Sequence, residues 1–319
     1  MKRFISAILV IAMLLLPLGI VGFADSVTLE IEQEWQNFDL GTTHAAAIHV
    51  GGLGYAWGYN YNGPVGNGSG ASTNETVPYD FVSGIKSIEA NGKSTLYIDN
   101  NDDLYIVGQM YYGVAGNQGS NQLFSLTPVK IASNVKQVSF GSMHFLFVKN
   151  DGTLWAWGQN VFGELGDGTT TETYTPKQIM TGVEYCAAGY EHSAALKTDG
   201  TLYMWGMNDH GQVGNGGTTT QKPPVQVLTN VAAVSVGGYH SAAIKNDGTL
   251  WTWGDNTYGQ CGNGSTSNVT SPRQVLTGVA QVSAGDFHTG VLKTDGTVWF
   301  CGSNYRGAFG NGTSATYRL

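Results

Sequence analysis

The dipeptide Trp-Gly, or a close variant of it, recurs six times along this chain at nearly equal intervals. The intervals are 50, 50, 48, 48 and 48 residues, and the six copies end at Gly58, Gly108, Gly158, Gly206, Gly254 and Gly302. Self-similarity at a fixed period of roughly 20 to 50 residues is the signature of a repeat architecture. The chain is therefore expected to fold as stacked copies of one small unit, in which the repeated residues form the scaffold.

Two longer motifs accompany the Trp-Gly, or its variant, in repeats three to six. Before it stands G-x-x-H, an apolar run and K-x-D-G-T, as in the stretch from Gly141 to Gly158. After it stands N-x-x-G-x-x-G-[ND]-G, as in Asn160 to Gly168, and then a Ser/Thr-rich loop that leads into the segment Pro176 to Met180. The upstream motif begins again at Gly189, Gly237 and Gly285.

The local pattern of one repeat predicts four short strands. Asp-Gly between two alternating apolar runs predicts a hairpin with a type I′ turn, in which both central residues have positive φ. Two further strands are expected at Val135 to Phe140 and after Pro176. Four strands in about 48 residues with glycine at the corners are typical of a propeller blade. We therefore predict an all-β propeller of four-stranded blades, with Trp57, Trp157, Trp205 and Trp253 buried between them.

The combined motifs resemble the repeat family of the regulator of chromosome condensation, a β-propeller family. The resemblance runs from about Val27 to Gly312. The competing WD40 propeller predicts a Trp-Asp dipeptide, which this sequence lacks. Members of the resembled family usually close with seven blades, whereas six repeats are visible here. Leu29 to Ile31 matches the Pro-linked strand of repeat three, so repeat one can hold all four strands. Leu319 lies in a loop that elsewhere leads to a new blade, and ending there leaves open sheet edges, so we expect a truncated chain rather than a six-bladed ring.

The N-terminus predicts export. Lys2 and Arg3 precede an apolar run from Phe4 to Val21, and small residues stand near Ala24. This arrangement is typical of a secretory signal peptide. We therefore predict a signal peptide at residues 1–24, a propeller domain at residues 25–319, and a secreted or cell-surface location without a membrane span after cleavage. The alternative is an uncleaved membrane anchor.

Charge argues against a nucleic-acid partner. Without Lys2 and Arg3 the chain keeps 13 of its 15 basic residues against 23 acidic ones, a net charge of −10. An acidic chain without a basic run is a poor ligand for a phosphate backbone. The nuclear members of the resembled family act as exchange factors on a small GTPase, and export would remove that partner. We therefore do not expect exchange activity, and we expect a monomer.

The histidines and cysteines are interpreted as structural. Five histidines share one motif position, and no acidic residue or cysteine recurs beside them at the spacing of a metal site. They are predicted to be hydrogen-bonding pegs between adjacent loops, and no metal or cofactor is expected. The cysteines are interpreted as buried apolar residues, with a Cys261–Cys301 disulfide as the alternative. The residues concerned are His44, His144, His192, His240 and His288, and Cys186, Cys261 and Cys301.

Positions that differ between repeats are the candidates for binding. The two middle residues of G-x-x-H vary, and so do the two before the glycine of N-x-x-G. Each set falls in equivalent loops, so we expect a ring of partner-binding residues on one face, formed by Met143, Phe162, Tyr190, Glu191, Tyr239, Tyr258, Asp286, Phe287 and Tyr305. The resembled family includes a secreted propeller that inhibits β-lactamases through loop aromatics on one face. By that resemblance Tyr190, Tyr239 and Phe287 are the strongest candidates, although aromatics that only cap blade edges remain the alternative.

These observations favour a secreted, non-enzymatic binding propeller that uses one loop face to contact a protein or cell-surface ligand. No catalytic residues are expected, because the chain lacks G-x-S-x-G, a Walker loop and H-E-x-x-H. Two alternatives stay open. One is a display or stalk module of a larger cell-wall protein, and the other is an enzyme whose site lies in the propeller channel. Clustered carboxylates or histidines pointing inward would favour the enzyme.

Overall fold

A computed structural model describes residues 35–41, 43–69, 74–109 and 124–314. The regular elements of these residues are strands, apart from one short 3-10 turn, which confirms the all-β prediction. The predicted signal peptide and the segment Leu29 to Ile31 lie outside the described residues. In the part of the chain that the structure describes, no helix is long and apolar enough to cross a bilayer.

The strands follow one another in a regular series along the chain. They are β1 (Trp35–Leu40), β2 (His44–His49), β3 (Leu53–Gly58), β4 (Glu75–Ser83), β5 (Ile85–Asn91), β6 (Ser94–Asp99), β7 (Leu104–Gln109), β8 (Phe124–Ala132), β9 (Val135–Phe140), β10 (His144–Lys149), β11 (Leu154–Gly158), β12 (Thr173–Met180), β13 (Val183–Ala188), β14 (His192–Lys197), β15 (Leu202–Gly206), β16 (Gln221–Leu228), β17 (Val231–Val236), β18 (His240–Lys245), β19 (Leu250–Gly254), β20 (Val269–Leu276), β21 (Val279–Ala284), β22 (His288–Lys293) and β23 (Val298–Gly302), with a 3-10 turn at Tyr305–Gly307.

The strands form six antiparallel meanders, one for each repeat. Five sheets have four strands, and the described residues of the last sheet form three strands, β21, β22 and β23. In each pair of consecutive sheets, the first strand of the later sheet packs against both the first and the second strand of the earlier sheet. The sheets therefore fan outward from their first strands as propeller blades do. We call them blades 1 to 6 in chain order.

Two local predictions need correction. The fourth strand of blade 3 begins at Thr173 rather than at Pro176, because Thr173 already pairs with Gly158 across the blade. The Asp-Gly hairpin is not a type I′ turn, because Gly152 has a positive φ of 77° and Asp151 does not have a positive φ. The Gly152 amide donates to the Lys149 carbonyl, and the Asp151 carboxylate accepts from the Thr153 amide. A type I turn with a following left-handed glycine meets these requirements.

Tryptophans fill the spaces between adjacent blades. Trp157, Trp205 and Trp253 are fully buried, as predicted. The Trp205 indole donates to the Glu164 carbonyl of the preceding blade at 2.7 Å, and the Trp253 indole donates to the Gln212 carbonyl at 2.9 Å, so these two rings join apolar packing to a specific hydrogen bond. Trp57 is an exception to the prediction of complete burial. It is only half-buried and packs against Trp35 at 6.4 Å, because the described residues hold no blade before the first.

The cysteines also occupy apolar sites between or within blades. All three are buried and free, so the alternative of a Cys261–Cys301 disulfide is wrong. Cys301 stands at the tryptophan position of blade 6, and its thiol lies 3.3 Å from the Gln260 carbonyl, in the place where Trp253 reaches Gln212. The structural interpretation of these residues is confirmed.

Four of the five repeated histidines tie their blade to the next one, at the junctions of blades 1 and 2, 3 and 4, 4 and 5, and 5 and 6, which confirms the prediction of hydrogen-bonding pegs. Nε2 of His192 lies 3.0 Å from the Ser241 hydroxyl of the following blade, and that hydroxyl donates to the Gln212 carbonyl at 2.9 Å. Because the single hydroxyl proton is used there, His192 must donate from Nε2. The corresponding pairs are His44 with Thr95, His144 with Ser193, and His240 with Thr289.

Candidate loop-face binding site

The meander topology places all the variable loops at one end of the propeller. The G-x-x-H loop joins the first and second strands of a blade, and the N-x-x-G loop joins its third and fourth strands. In an antiparallel meander these two connections lie at the same end, and the D-G-T turns lie at the other. We call the end that carries the G-x-x-H and N-x-x-G loops the loop face. The predicted ring of variable residues therefore shares one face.

Backbone hydrogen bonds link the G-x-x-H loops of blades 3 to 6. The Ser142 hydroxyl donates to the Tyr190 carbonyl at 2.7 Å. The Tyr190 amide lies 3.3 Å from the Gly238 carbonyl, and the Gly238 amide lies 3.3 Å from the Gly285 carbonyl. Because hydrogen bonds fix each loop to its neighbour, the side chains on these loops project from well-defined backbone positions.

Glycine at position 238 leaves room for Tyr190. A Cβ atom added there would lie 3.2 Å from Cε2 of Tyr190 and 3.0 Å from the Asp286 carbonyl oxygen. The Tyr190 ring thus lies across the loop of blade 5, close to Asp286 of blade 6. Burial and the nearby Asp286 carboxylate raise the pKa of the Tyr190 phenol well above its usual range.

Tyr239 lies at the centre of a compact group of aromatic and acidic side chains. Its ring centroid is 5.3 Å from that of Tyr190 in an edge-to-face arrangement, and 5.5 Å from that of His210. Burial raises the pKa of the Tyr239 phenol, and the negative charges of Glu191, Asp209 and Asp286 raise it further. These residues meet on the loop face, and we call Tyr190, Glu191, Asp209, His210, Tyr239 and Asp286 the acidic tyrosine cluster.

The carboxylates of the acidic tyrosine cluster are close enough to repel one another. The pKa of Glu191 is raised by partial burial and by the charge of Asp209. Asp209 is exposed, accepts from the Gln212 amide at 3.2 Å and lies 3.6 Å from Nε2 of His210. The cluster is therefore a region of concentrated negative charge between aromatic rings.

A second aromatic pair lies beside this cluster. The rings of Tyr258 and Phe287 contact each other edge to face at 5.7 Å. Both stay exposed, at 42% and 38% respectively. Phe287 directly follows Asp286, so the pair extends the cluster with apolar surface. Exposed large aromatics of this kind are typical anchors of protein interfaces.

The remaining three predicted site residues stand apart. Met143 is 39% exposed on the loop beside Ser142, and Tyr305 is 71% exposed with the Arg306 guanidinium 5.1 Å from its ring centre. Phe162 is half-buried, and its amide donates to the Glu164 carboxylate. Among the described residues, no ring contact joins Phe162 or Tyr305 to the acidic tyrosine cluster. The nine predicted residues thus form one dense centre and scattered surroundings.

Sequence reasoning missed Asp209 and His210 as site residues. Both occupy the variable pair of an N-x-x-G loop, so the pattern did mark the position. It also missed Glu164, which stands where the neighbouring blades have Gln212 and Gln260. Glu164 is almost completely buried, and burial raises its pKa to about 7. The charge of Glu191 adds to that shift, which shows that Glu164 lies near the cluster.

The first strands of blades 1 and 2 carry two neighbouring carboxyl groups, Asp39 and Glu89. Asp39 accepts a hydrogen bond from the Ala90 amide of the next blade at 2.9 Å. Ser139 and Ser235 accept from the next blade in the same way, so Asp39 occupies a structural position. Burial raises the pKa of both Asp39 and Glu89, and the charge of Asp39 raises that of Glu89 further. Over the described residues, no group of three metal-ligating side chains lies close enough to hold an ion.

Comparison with known proteins gives matches at the level of family and fold. The family model described as RCC1-like domain matches residues 22–275, and the regulator of chromosome condensation (RCC1) repeat matches residues 279–308. The search of curated proteins found no match.

Solved structures share the architecture at low sequence identity. Yeast RCC1 (Prp20) bound to Kap60 is 22% identical with a TM-score of 0.76, and the alignment covers 89% of this chain and 74% of that one. Human WBSCR16 is 21% identical with a TM-score of 0.80, and the alignment covers 90% and 82%. Prp20p from Saccharomyces cerevisiae, in a structure reported with its binding properties to Gsp1p and histones, is 22% identical with a TM-score of 0.75 over 87% and 74%. At these identities the likeness establishes the fold.

Proposed function

The chain belongs to the RCC1-like domain family, and from this premise we propose that it is a non-enzymatic binding propeller. Its loop face contacts a protein or cell-surface ligand. The RCC1 relative Prp20 is solved with Kap60 bound, which supports a binding role for a propeller of this family.

The observation that carries the proposal is the contrast between a repeated scaffold and a varied face. The histidine pegs and buried tryptophans keep the same partners in successive blades. The loop face instead collects different residues, among them the exposed pair Tyr258 and Phe287. A structural role would require the same residue in each copy, whereas recognition requires different ones.

We further propose that the protein acts outside the cell. The segment 1–24 serves as a signal peptide, and residues 25–319 form the secreted propeller domain. The acidic charge makes a protein partner more suitable than a nucleic acid, and the mature chain acts as a monomer without a membrane span. A display or stalk role within a larger cell-wall protein is compatible with the same face.

One specific observation favours a second candidate function. Asp39 and Glu89 are neighbouring carboxyl groups with raised pKa values on the first strands of blades 1 and 2, a combination found in enzymes that use paired acids. A channel-centred hydrolase or lyase would depend on both groups. The double variant Asp39→Asn, Glu89→Gln would then lose activity on a substrate. If that variant binds its partner as the wild type does and shows no activity difference, the pair is structural.

A pull-down from the extracellular medium tests the main proposal. The mature wild type is compared with the variant Tyr190→Ala, Tyr239→Ala, Phe287→Ala. A matched control replaces Tyr79 and Trp299 with alanine, since these aromatics are 40% and 42% exposed on strands away from the loop face. We expect the loop-face variant to lose a partner that the control retains. Equal recovery of every partner by all three proteins would refute the assignment.

A further inference from the structure

The acidic tyrosine cluster places aromatic rings and carboxylates from separate loops around one point on the loop face. We propose that this cluster receives an arginine or lysine side chain from a protein partner, and that the neighbouring Tyr258–Phe287 pair receives an apolar residue of the same segment. The inference rests on the proposed function, since it names the chemistry of the partner that the loop face would bind.

The aromatic part of the cluster suits a cation. A guanidinium or ammonium group is attracted to the electron-rich face of a tyrosine ring when it lies within about 6 Å of the ring centre. Tyr190 and Tyr239 stand nearly perpendicular, at 89°, so a ring face and a ring edge border the same space. Both rings are only half-buried, which leaves surface for a ligand. Their positions are set by the backbone links between loops and by the space above Gly238.

The charged part of the cluster also calls for a cation. Glu191 and Asp209 come from two loops of blade 4, and Asp286 comes from blade 6, yet all three act on the Tyr239 hydroxyl. In the described residues, the ion pairs of Lys86, Lys130, Lys136, Lys177 and Lys293 all involve other carboxylates. Within the cluster, Nε2 of His210 lies 3.6 Å from the Asp209 carboxylate, a contact that is an ion pair only when the imidazole is protonated. A basic side chain from outside would therefore relieve the mutual repulsion of the carboxylates.

The exposed aromatic pair defines what accompanies the cation. Tyr258 and Phe287 adjoin the cluster through Asp286, and their exposed rings offer apolar area without formal charge. A segment that combines a basic residue with an apolar neighbour would cover both parts at once. Such a pairing of a buried anchor with a complementary charge is how protein interfaces gain both affinity and specificity.

The test uses three labelled peptides of equal length, Gly-Arg-Phe-Arg-Gly, Gly-Gln-Phe-Gln-Gly and Gly-Glu-Phe-Glu-Gly, with the mature propeller. Binding is measured by fluorescence anisotropy at low and at physiological ionic strength. We expect the arginine peptide to bind about tenfold or more tightly than the glutamine peptide at low salt, with a smaller preference at high salt. The glutamate peptide should bind least. Equal binding of the arginine and glutamine peptides would overturn the inference.

Charge variants locate the binding on the protein. The isosteric variant Glu191→Gln, Asp209→Asn, Asp286→Asn should lose the preference for arginine, and Glu191→Lys should lose it through repulsion. The matched control Asp199→Asn, Asp247→Asn, Asp295→Asn removes the same formal charge from the D-G-T turns at the opposite end. It should keep the preference. If the control loses as much as the cluster variant, net charge explains the binding and the inference fails. Circular dichroism melting checks that each variant is folded.

The pull-down separates this inference from the proposed function. If the aromatic loop-face variant loses a partner while the isosteric charge variant keeps it, the binding propeller stands and the cationic ligand is refuted. If both variants lose that partner and the arginine preference, the inference is supported. If the arginine peptide binds but every variant recovers all partners, the loop face is not a protein-binding site, and the assignment of a basic protein segment fails with it.

Discussion

Replacement of His192 by glutamine tests the hydrogen bonds between blades. His192 is fully buried, and its Nε2 atom contacts the Ser241 hydroxyl of the next blade. Burial lowers the pKa of His192 from 6.5 to about 3, and the neighbouring histidines His240 and His144 lower it further. The native ring is therefore neutral at pH 5, while the ring in the unfolded chain is protonated at that pH. Glutamine keeps an Nε2 donor but does not titrate in this range.

The size of the effect follows from proton linkage. Unfolding takes up a proton at His192 wherever the pH lies below the unfolded pKa of 6.5 and above the folded value of about 3. The wild type should therefore lose about 2 kcal/mol of stability from this group between pH 7 and pH 5, and the loss continues as the pH falls toward 3. His192→Gln does not share the loss. Although the variant is less stable at pH 7, its deficit should shrink by about 2 kcal/mol at pH 5.

Urea unfolding at the two pH values measures the difference directly. Each protein gives a free energy of unfolding at pH 7 and at pH 5, and contributions from all other titrating groups cancel in the double difference. Trp253→Phe serves as control, because it removes the indole hydrogen bond to the Gln212 carbonyl without removing a titrating group. Its deficit should be the same at both pH values. A deficit of His192→Gln that stays constant or grows at pH 5 would refute the buried neutral histidine.

Three further outcomes are expected. Glu164→Gln should stabilise the protein relative to wild type by up to about 3 kcal/mol at pH 8 but not at pH 4. Burial raises the pKa of Glu164 from 4.5 to about 7, so ionisation of this carboxyl group above pH 4.5 favours the unfolded chain. A difference in unfolding free energy that does not change with pH would contradict this. Trp205→Ala should cost about 3 to 5 kcal/mol in chemical denaturation, through the cavity and the lost bond to Glu164, and a cost below about 1 kcal/mol would show that the ring is not a packing element. Thiol titration without reductant should find no reactive group in the native state and three after unfolding, and fewer than three would show a disulfide among Cys186, Cys261 and Cys301.

The repeated residues made most of the fold predictable. Periodicity located the blades, and the apolar runs between G-x-x-H and K-x-D-G-T became strands such as β10, with His144 at its start. The role of the histidine could also be predicted, because a residue repeated at the same position contacts the same position of the next blade, here a Ser or Thr hydroxyl. The turn type was not accessible in this way, because the Asp-Gly pattern fits more than one loop length. The positive φ of Gly152 alone and the hydrogen bond from its amide to the Lys149 carbonyl decided between them.

The candidate site was only partly predictable, because its residues make contacts across whole blades and not only between sequence neighbours. The variable positions were visible, but the contact of Tyr190 with Asp286 crosses a whole blade and depends on the missing side chain of Gly238. Asp209 joins the cluster only because the two loops of blade 4 lie at the same end. A repeat pattern fixes which positions share a face, and the packing of particular side chains decides which of them touch.

The central claim is that the loop face of this propeller is its binding surface. The most direct measurement is the recovery of extracellular partners by the mature wild type, by Tyr190→Ala, Tyr239→Ala, Phe287→Ala, and by the exposure-matched control at Tyr79 and Trp299, with equal amounts of folded protein. A partner retained by the wild type and the control but lost by the loop-face variant is the predicted result. Retention of every partner by the loop-face variant would contradict the claim.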